Sequence, residues 1–103
     1  MLTLVQIGLA NGGHTYVFDN NGDEDCVILP LQVERVAESL WEQNNFPKED
    51  AARWVAEQVI LDNTPKQYAS IIGKDARSIE SHDPAWTYIT QRALNRYRSS
   101  RFA

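Results

Sequence analysis

Two consecutive amphipathic segments constrain the fold of this chain more than any other feature. In each, apolar residues recur at the three- and four-residue spacing that places them on one face of a helix. These positions are Val33, Val36, Ala37, Leu40 and Trp41 in the first segment and Ala51, Trp54, Val55, Val59 and Ile60 in the second. Between them, Asn44-Asn45-Phe46-Pro47 joins a helix-stopping asparagine pair to a proline suited to a first helical turn. The pattern predicts helices over Leu31–Glu42 and Pro47–Asp62 that share a core.

The first thirty residues predict a β-meander. Three short runs are rich in apolar and β-branched residues, as strands are. They cover residues 2–9, 14–18 and 26–29. The segments between them, Asn11-Gly12-Gly13 and 19–23, have the composition of tight turns. Pro30 then suits the boundary between the last strand and the first helix.

The last forty residues predict more helix. Thr64 and Pro65 form a helix start, Gly73 ends that helix, and a short helical segment follows over 75–81. A last helix is predicted over Ala85–Arg98, followed by a frayed tail. Its apolar positions are Trp86, Ile89, Ala93, Leu94 and Tyr97.

Together these elements predict the α+β class in one domain, 1–103: a three-stranded antiparallel meander followed by about four helices. The meander occupies 1–30, the two amphipathic helices occupy 31–62, and a basic helical part occupies 65–103.

Charge is distributed unevenly along the chain, whose net charge is −4. Residues 1–64 carry three basic and eleven acidic side chains, and residues 65–103 carry seven basic and three acidic ones. Opposite charge at the two ends favours binding to another protein, a homodimer through acidic and basic complementarity, or contact with nucleic acid.

The sequence also predicts the cellular compartment of the protein. Cys26 is the only cysteine, so an internal disulfide is excluded and a reducing compartment is favoured. No apolar run approaches the roughly 20 residues that span a membrane, and the first residues do not resemble a signal peptide. We therefore expect a soluble cytoplasmic protein without membrane contact.

A helix-turn-helix is one candidate motif, at Pro65–His82. Ala69, Gly73 and Ile79 supply the small, turn and apolar residues that the motif needs. Lys74 and His82 stand where apolar residues are usual, and an ordinary helical hairpin is the alternative. The side chains predicted to contact DNA are Arg77, Ser78, Arg92, Arg96, Arg98 and Arg101.

Catalytic and metal sites are not predicted. The acidic turn 19–25 lacks the glycine and glutamate of a calcium loop, so we interpret it as a polar hairpin turn. Cys26 could pair with His14 or His82, but it lies in an apolar run typical of inert thiols. We expect no enzyme activity, no metal and no cofactor.

The aromatic residues offer a different kind of site. Three tryptophans in so short a chain need not all be buried, and tryptophan and tyrosine dominate interface hot spots. We predict that Trp54, Trp86 and Tyr88 bind a partner. The alternative is that the tryptophans pack at contacts between helices.

The middle of the chain also resembles a known family. The matching residues are Tyr16-Val17-Phe18-Asp19, Leu29-Pro30, Ala37, Leu40-Trp41, Asn44-Asn45-Phe46-Pro47, Val55-Ala56, Val59-Ile60 and Asn63-Thr64. In this order they resemble the PFU domain, the ubiquitin-binding domain of the phospholipase A2-activating protein family. The resemblance implies protein binding without catalysis. Our prediction is a non-enzymatic interaction module, such as an adaptor, assembly factor or inhibitor, with DNA binding by residues 65–101 as the alternative.

Overall fold

A three-stranded antiparallel sheet forms the first part of the protein. The computed structural model describes residues 2–62 and 84–102. The strands are β1 (Leu2–Ala10), β2 (Gly13–Asn20) and β3 (Asp23–Pro30), in the order β1-β2-β3. This confirms the predicted meander, although each strand is longer than its apolar run because the pairing continues into the turn residues.

The second turn shows why the meander closes so tightly. Asn21 and Gly22 have φ angles of 55° and 95°, the left-handed conformation that a two-residue hairpin turn requires. The Gly22 N–H also donates to the Asp19 carboxylate over 3.1 Å. The acidic segment is therefore a hairpin turn, as its composition predicted.

Three α-helices lie in the described residues: α1 (Leu31–Gln43), α2 (Ala51–Asp62) and α3 (Pro84–Phe102). A 3₁₀ turn, Lys48–Asp50, precedes α2 and takes the place of the predicted first helical turn. The helix predicted at Pro65–Ile72 and the segment 75–81 lie outside the described residues. The α+β class is confirmed.

Asparagine ends α1, as the sequence predicted. Asn45 has a φ of 62°, and its N–H bonds to the Glu42 carbonyl at 3.0 Å. The Asn44 side chain donates to the Leu40 carbonyl at 2.8 Å.

The predicted end of the last helix was wrong. Helix α3 continues to Phe102, whereas a frayed tail was expected after Arg98.

The core lies between the helices and two of the three strands. The buried apolar residues are Tyr16, Phe18, Val27, Leu29, Val33, Ala37, Trp41, Ala51, Ala52, Val55, Ala56, Val59, Ile60, Trp86, Ile89, Ala93, Leu94 and Tyr97. All five apolar positions predicted for the last helix are in this set. Val36 is not: it is 57% exposed, so its predicted place in the core was wrong.

Strand β1 contributes no buried residue. An irregularity between Leu4 and Gln6 leaves Val5 as an extra residue and divides the strand in two. In the first half, Leu2 and Leu4 pack against the core from its margin. In the second half, Ile7 and Leu9 are exposed. None of the described helices is long and apolar enough to cross a membrane.

Candidate protein-binding groove

Helix α3 is held to α2 by charged and polar side chains as well as by its apolar face. Arg96 donates through Nε to the Gln58 amide oxygen at 2.8 Å and through Nη2 to the Trp54 carbonyl at 3.2 Å. Its Nη1 lies 3.5 Å from the Glu57 carboxylate. Burial lowers the pKa of Arg96, and the Glu57 carboxylate acts in the opposite direction. The guanidinium stays charged and fixed between the helices.

The Trp54 ring lies beside this guanidinium. The Arg96 guanidinium carbon is 4.1 Å from the centroid of the ring, within the range of a cation–π contact. Tyr97 meets the same ring edge-on at 5.0 Å. Trp54 is only partly buried, so part of this ring, held by Arg96 and Tyr97, is accessible at the surface.

A groove of about 430 Å³ opens next to Trp54. Its lining residues come from the first half of β1, from β2 and from the outer face of α2. They are Leu2, Thr3, Leu4, Phe18, Arg53, Trp54 and Glu57. Its lining combines four apolar residues with one threonine and with one basic and one acidic residue on α2. We call this the β1–α2 groove.

The other two predicted partner-binding residues have different environments. Tyr88 is 61% exposed, and it lies one turn from Arg92 on the same face of α3 as Arg96. Trp86 is only 3% exposed and belongs to the core. Of the three, Tyr88 is exposed, Trp54 is partly buried, and Trp86 is buried in the core.

The arginines predicted to bind DNA largely contact the rest of the protein. Arg92 forms a 2.8 Å ion pair with Asp62, which raises the pKa of the arginine. Arg98 donates to the Asn44 side chain at 2.8 Å, and Arg101 lies 6.0 Å from the Phe46 ring centroid. Some of the basic side chains of the last helix therefore pair with acidic side chains of α2 in the same chain.

Two residues of the proposed recognition helix, Arg77 and Ser78, lie outside the described residues, as does the whole candidate motif at Pro65–His82. The DNA-binding alternative stays a prediction.

A buried polar cluster joins β2 to α1. Glu34, only 5% exposed, accepts a hydrogen bond from the Tyr16 hydroxyl at 3.2 Å and lies 2.9 Å from His14 Nδ1. Burial raises the pKa of Tyr16, and the negative charge of Glu34 raises it further. The cluster links sheet to helix and keeps the phenol protonated.

Cys26 and His14 do not form a pair. Cys26 is in register with Val17, and His14 with the buried Leu29, so the two side chains lie on opposite faces of the sheet. Burial and the nearby Glu24 raise the pKa of the Cys26 thiol. Within 2–62 and 84–102, no three potential metal ligands cluster.

Sequence reasoning missed the buried polar residues. Gln58, 4% exposed, accepts from Arg96 and donates to Asp62 at 2.6 Å, yet glutamine on a helix normally indicates a solvated face. Glu34 likewise resembles an ordinary first-turn acid. Only the position of Gln58 beside Val55 and Val59, on the apolar face of α2, pointed to its burial.

Comparison with known proteins adds no family. No protein-family model, no curated protein and no solved structure matches the chain. The resemblance to the PFU domain therefore stays a prediction.

Proposed function

We propose that this chain is a non-enzymatic protein-binding module, and that its partner places an extended segment in the β1–α2 groove. The observation that carries the proposal is the Trp54 ring at the surface, held by Arg96 and Tyr97. An aromatic side chain that is already fixed loses little conformational freedom on binding, which is why such residues dominate hot spots.

The position of the groove supports an extended partner segment. One wall is the first half of β1, an edge strand, so a segment lying there can bond to backbone groups while one of its side chains contacts Trp54. Arg53 and Glu57 on the opposite wall can orient the polar ends of that segment. The PFU resemblance independently implies protein binding, with ubiquitin as the partner.

Affinity capture with two groove variants tests the proposal. We expect a specific protein that is enriched by the wild type and lost with Trp54→Ala and with Arg53→Glu. Val36→Ala is the matched control, since Val36 is exposed on α1 and does not line the groove. Circular dichroism shows whether each variant is folded. If the captured proteins are the same for the wild type and both groove variants, the proposal fails.

Titration with ubiquitin tests the narrower expectation from the PFU resemblance. Binding in the groove would shift the amide resonances of 2–4 and 53–57 in the labelled protein. A titration that moves no resonance removes ubiquitin as the partner but leaves the result of the capture experiment intact.

DNA binding is tested by its salt dependence. If these arginines neutralised phosphates, the affinity for DNA would fall steeply with salt, and Arg92→Ala/Arg96→Ala would reduce that slope. Because both arginines already contact acidic or polar groups in α2, we expect weak binding at low salt and no change of slope. A steep slope that the double variant loses would favour the DNA alternative.

A further inference from the structure

The second half of β1, Gln6–Ala10, lies at one edge of the sheet. β1 is the first strand in the sheet order, and within the described residues no strand pairs with its outer side. Ile7 is in register with Tyr16 and Leu9 with His14, so both side chains lie on the face of the sheet that carries the helices. They are nevertheless 53% and 88% exposed. An open edge of this kind is a template for another strand.

The sequence of β1 lacks the features that normally prevent such pairing. It contains no charged residue and no proline, whereas the opposite edge strand, β3, begins Asp23-Glu24-Asp25 and ends at Pro30. Three of the seven exposed large hydrophobic residues in the described part of the chain are on β1: Val5, Ile7 and Leu9. The irregularity at Val5 lies before this half of the strand, and the register from Gln6 to Ala10 is regular.

We propose that two copies of this chain associate through Gln6–Ala10, paired antiparallel across a two-fold axis, so that their sheets become continuous. A strand that pairs with itself in this way forms an isologous interface, in which the same residues are used twice. The proposal rests on the second half of β1 and is independent of a partner in the β1–α2 groove.

Self-pairing centred on Gly8 places the two exposed apolar side chains of one copy opposite those of the other. In that register Ile7 lies opposite Leu9 of the second copy, on the helix-bearing face, and Gln6 lies opposite Ala10 on the other face. Glycine at the axis adds no side chain that would crowd its symmetry mate. The apolar side chains left exposed in one copy are thereby covered by those of the other.

Charge distinguishes the two edges of the sheet as sites for a second copy. Each chain has a net charge of −4, so two copies repel each other, and this repulsion is smallest where the contact surface itself carries no charge. The acidic start of β3 would place like charges close together in the equivalent self-pair. β1 is the uncharged edge of an acidic protein.

The interface is short. Stable complexes bury roughly 800 Å² on each partner, and a pair of five-residue strand segments buries less. We therefore expect a dimer whose population depends on protein concentration.

Sedimentation across a concentration series tests the proposal. The weight-average mass of the wild type should rise from 11.7 kDa towards twice that value as concentration increases. Ile7→Lys/Leu9→Lys, which would set lysines opposite each other across the axis, should stay at the monomer mass. Val36→Lys replaces an apolar residue on α1 that is exposed to about the same extent as Ile7, and this variant should dimerise as the wild type does.

Either of two outcomes would overturn the dimer. One is a wild type that keeps the monomer mass at every concentration, which would leave the edge to a foreign strand or to none. The other is a double variant that dimerises as well as the wild type. If the double variant fails to fold, Leu9→Lys alone replaces it, because Leu9 is 88% exposed and makes little contact to lose.

Amide hydrogen exchange separates strand pairing from other modes of association. With rising concentration, exchange should slow at amides within Gln6–Ala10 and stay unchanged in β3. A dimer that leaves Gln6–Ala10 unprotected would contradict the proposed interface.

Discussion

Strands β1 and β3 flank the same central strand, yet only β3 contributes fully buried residues to the core. Leu9 and Leu29 show the difference most directly. Both are in register with His14 and lie on the same face of the sheet, but Leu29 is 0% exposed and Leu9 is 88% exposed. The two helices that follow the sheet pack over β2 and β3, whereas Ile7 and Leu9 in the second half of β1 stay exposed. A leucine thus stabilises the core at the β3 edge of the sheet, whereas a leucine at the β1 edge is exposed to solvent.

The largest expected effect comes from this leucine pair. Leu29→Ala should lower the free energy of unfolding by about 2–5 kcal/mol, because it removes buried methyl groups and leaves a cavity. Leu9→Ala should change it by no more than about 0.5 kcal/mol, since the side chain is already in solvent. Urea unfolding of the two variants measures both. Similar losses in the two would mean that β1 is covered as well as β3.

A glycine pair sharpens the comparison at the level of the backbone. A Cβ at Gly13 would collide with the Leu29 carbonyl of β3, whereas a Cβ at Gly8 of β1 would meet no atom within 4 Å. Gly13→Ala should therefore cost about 1–3 kcal/mol of unfolding free energy through backbone displacement. Gly8→Ala should be neutral or stabilising by up to about 1 kcal/mol, because alanine restricts the unfolded chain. Thermal and urea unfolding at low protein concentration check both variants.

If Gly13→Ala proved as harmless as Gly8→Ala, the approach of β2 to β3 would be looser than the structure shows. Gly8→Ala is the matched control, because it makes the same chemical change in the same sheet.

The smallest expected effect concerns Tyr16, which stands between Ile7 and Val27 and bonds to α1. Its pKa is raised above the ordinary value of 10.0, first by burial and then by Glu34. The folded protein therefore holds this proton after the unfolded chain has released it. The resulting stability is complete below pH 10 and falls as pH rises further, by about 1 kcal/mol at pH 11. Tyr16→Phe should lack this component of the alkaline loss.

Urea unfolding at about pH 8 and about pH 11, for wild type and Tyr16→Phe, measures the difference. At the lower pH the variant should be less stable by about 1 kcal/mol, because Glu34 loses one hydrogen bond. An identical alkaline loss in both proteins would show that Tyr16 ionises as freely in the folded state as in the unfolded one.

The local elements could be predicted because their signals are local. The apolar periodicity of α3, the Asn21-Gly22 turn and the asparagines after α1 each act within a few residues. The exposure of β1 could not be predicted, because its apolar content resembles that of β3 and its burial is decided by where distant helices pack. The burial of Val36 was wrongly predicted for the same reason. Periodicity shows which face of a helix is apolar, but it does not show how much of that face the rest of the protein covers.

The candidate site was predictable only in part. Residue type selected Trp54, Tyr88 and Trp86 alike, but only Trp54 lines the β1–α2 groove, and Trp86 packs in the core. The uneven charge distribution was visible in the sequence, but the contacts that the charged side chains make were not. Arg96 lies 38 residues from Gln58 in the chain, and only the packing of α3 on α2 brings them together. A charge pattern read along a chain cannot distinguish an internal pair from a surface offered to a partner.

The first hairpin turn has a consequence for how this protein can be labelled. The Leu31 N–H donates to the Gly12 carbonyl at 2.8 Å, so the turn between β1 and β2 is bonded to the first residue of α1. An inserted tag there would disturb the start of the helix along with the hairpin. The Asn21–Gly22 turn, whose glycine N–H bonds back to Asp19 of its own hairpin, is the better insertion point for a fluorophore or epitope.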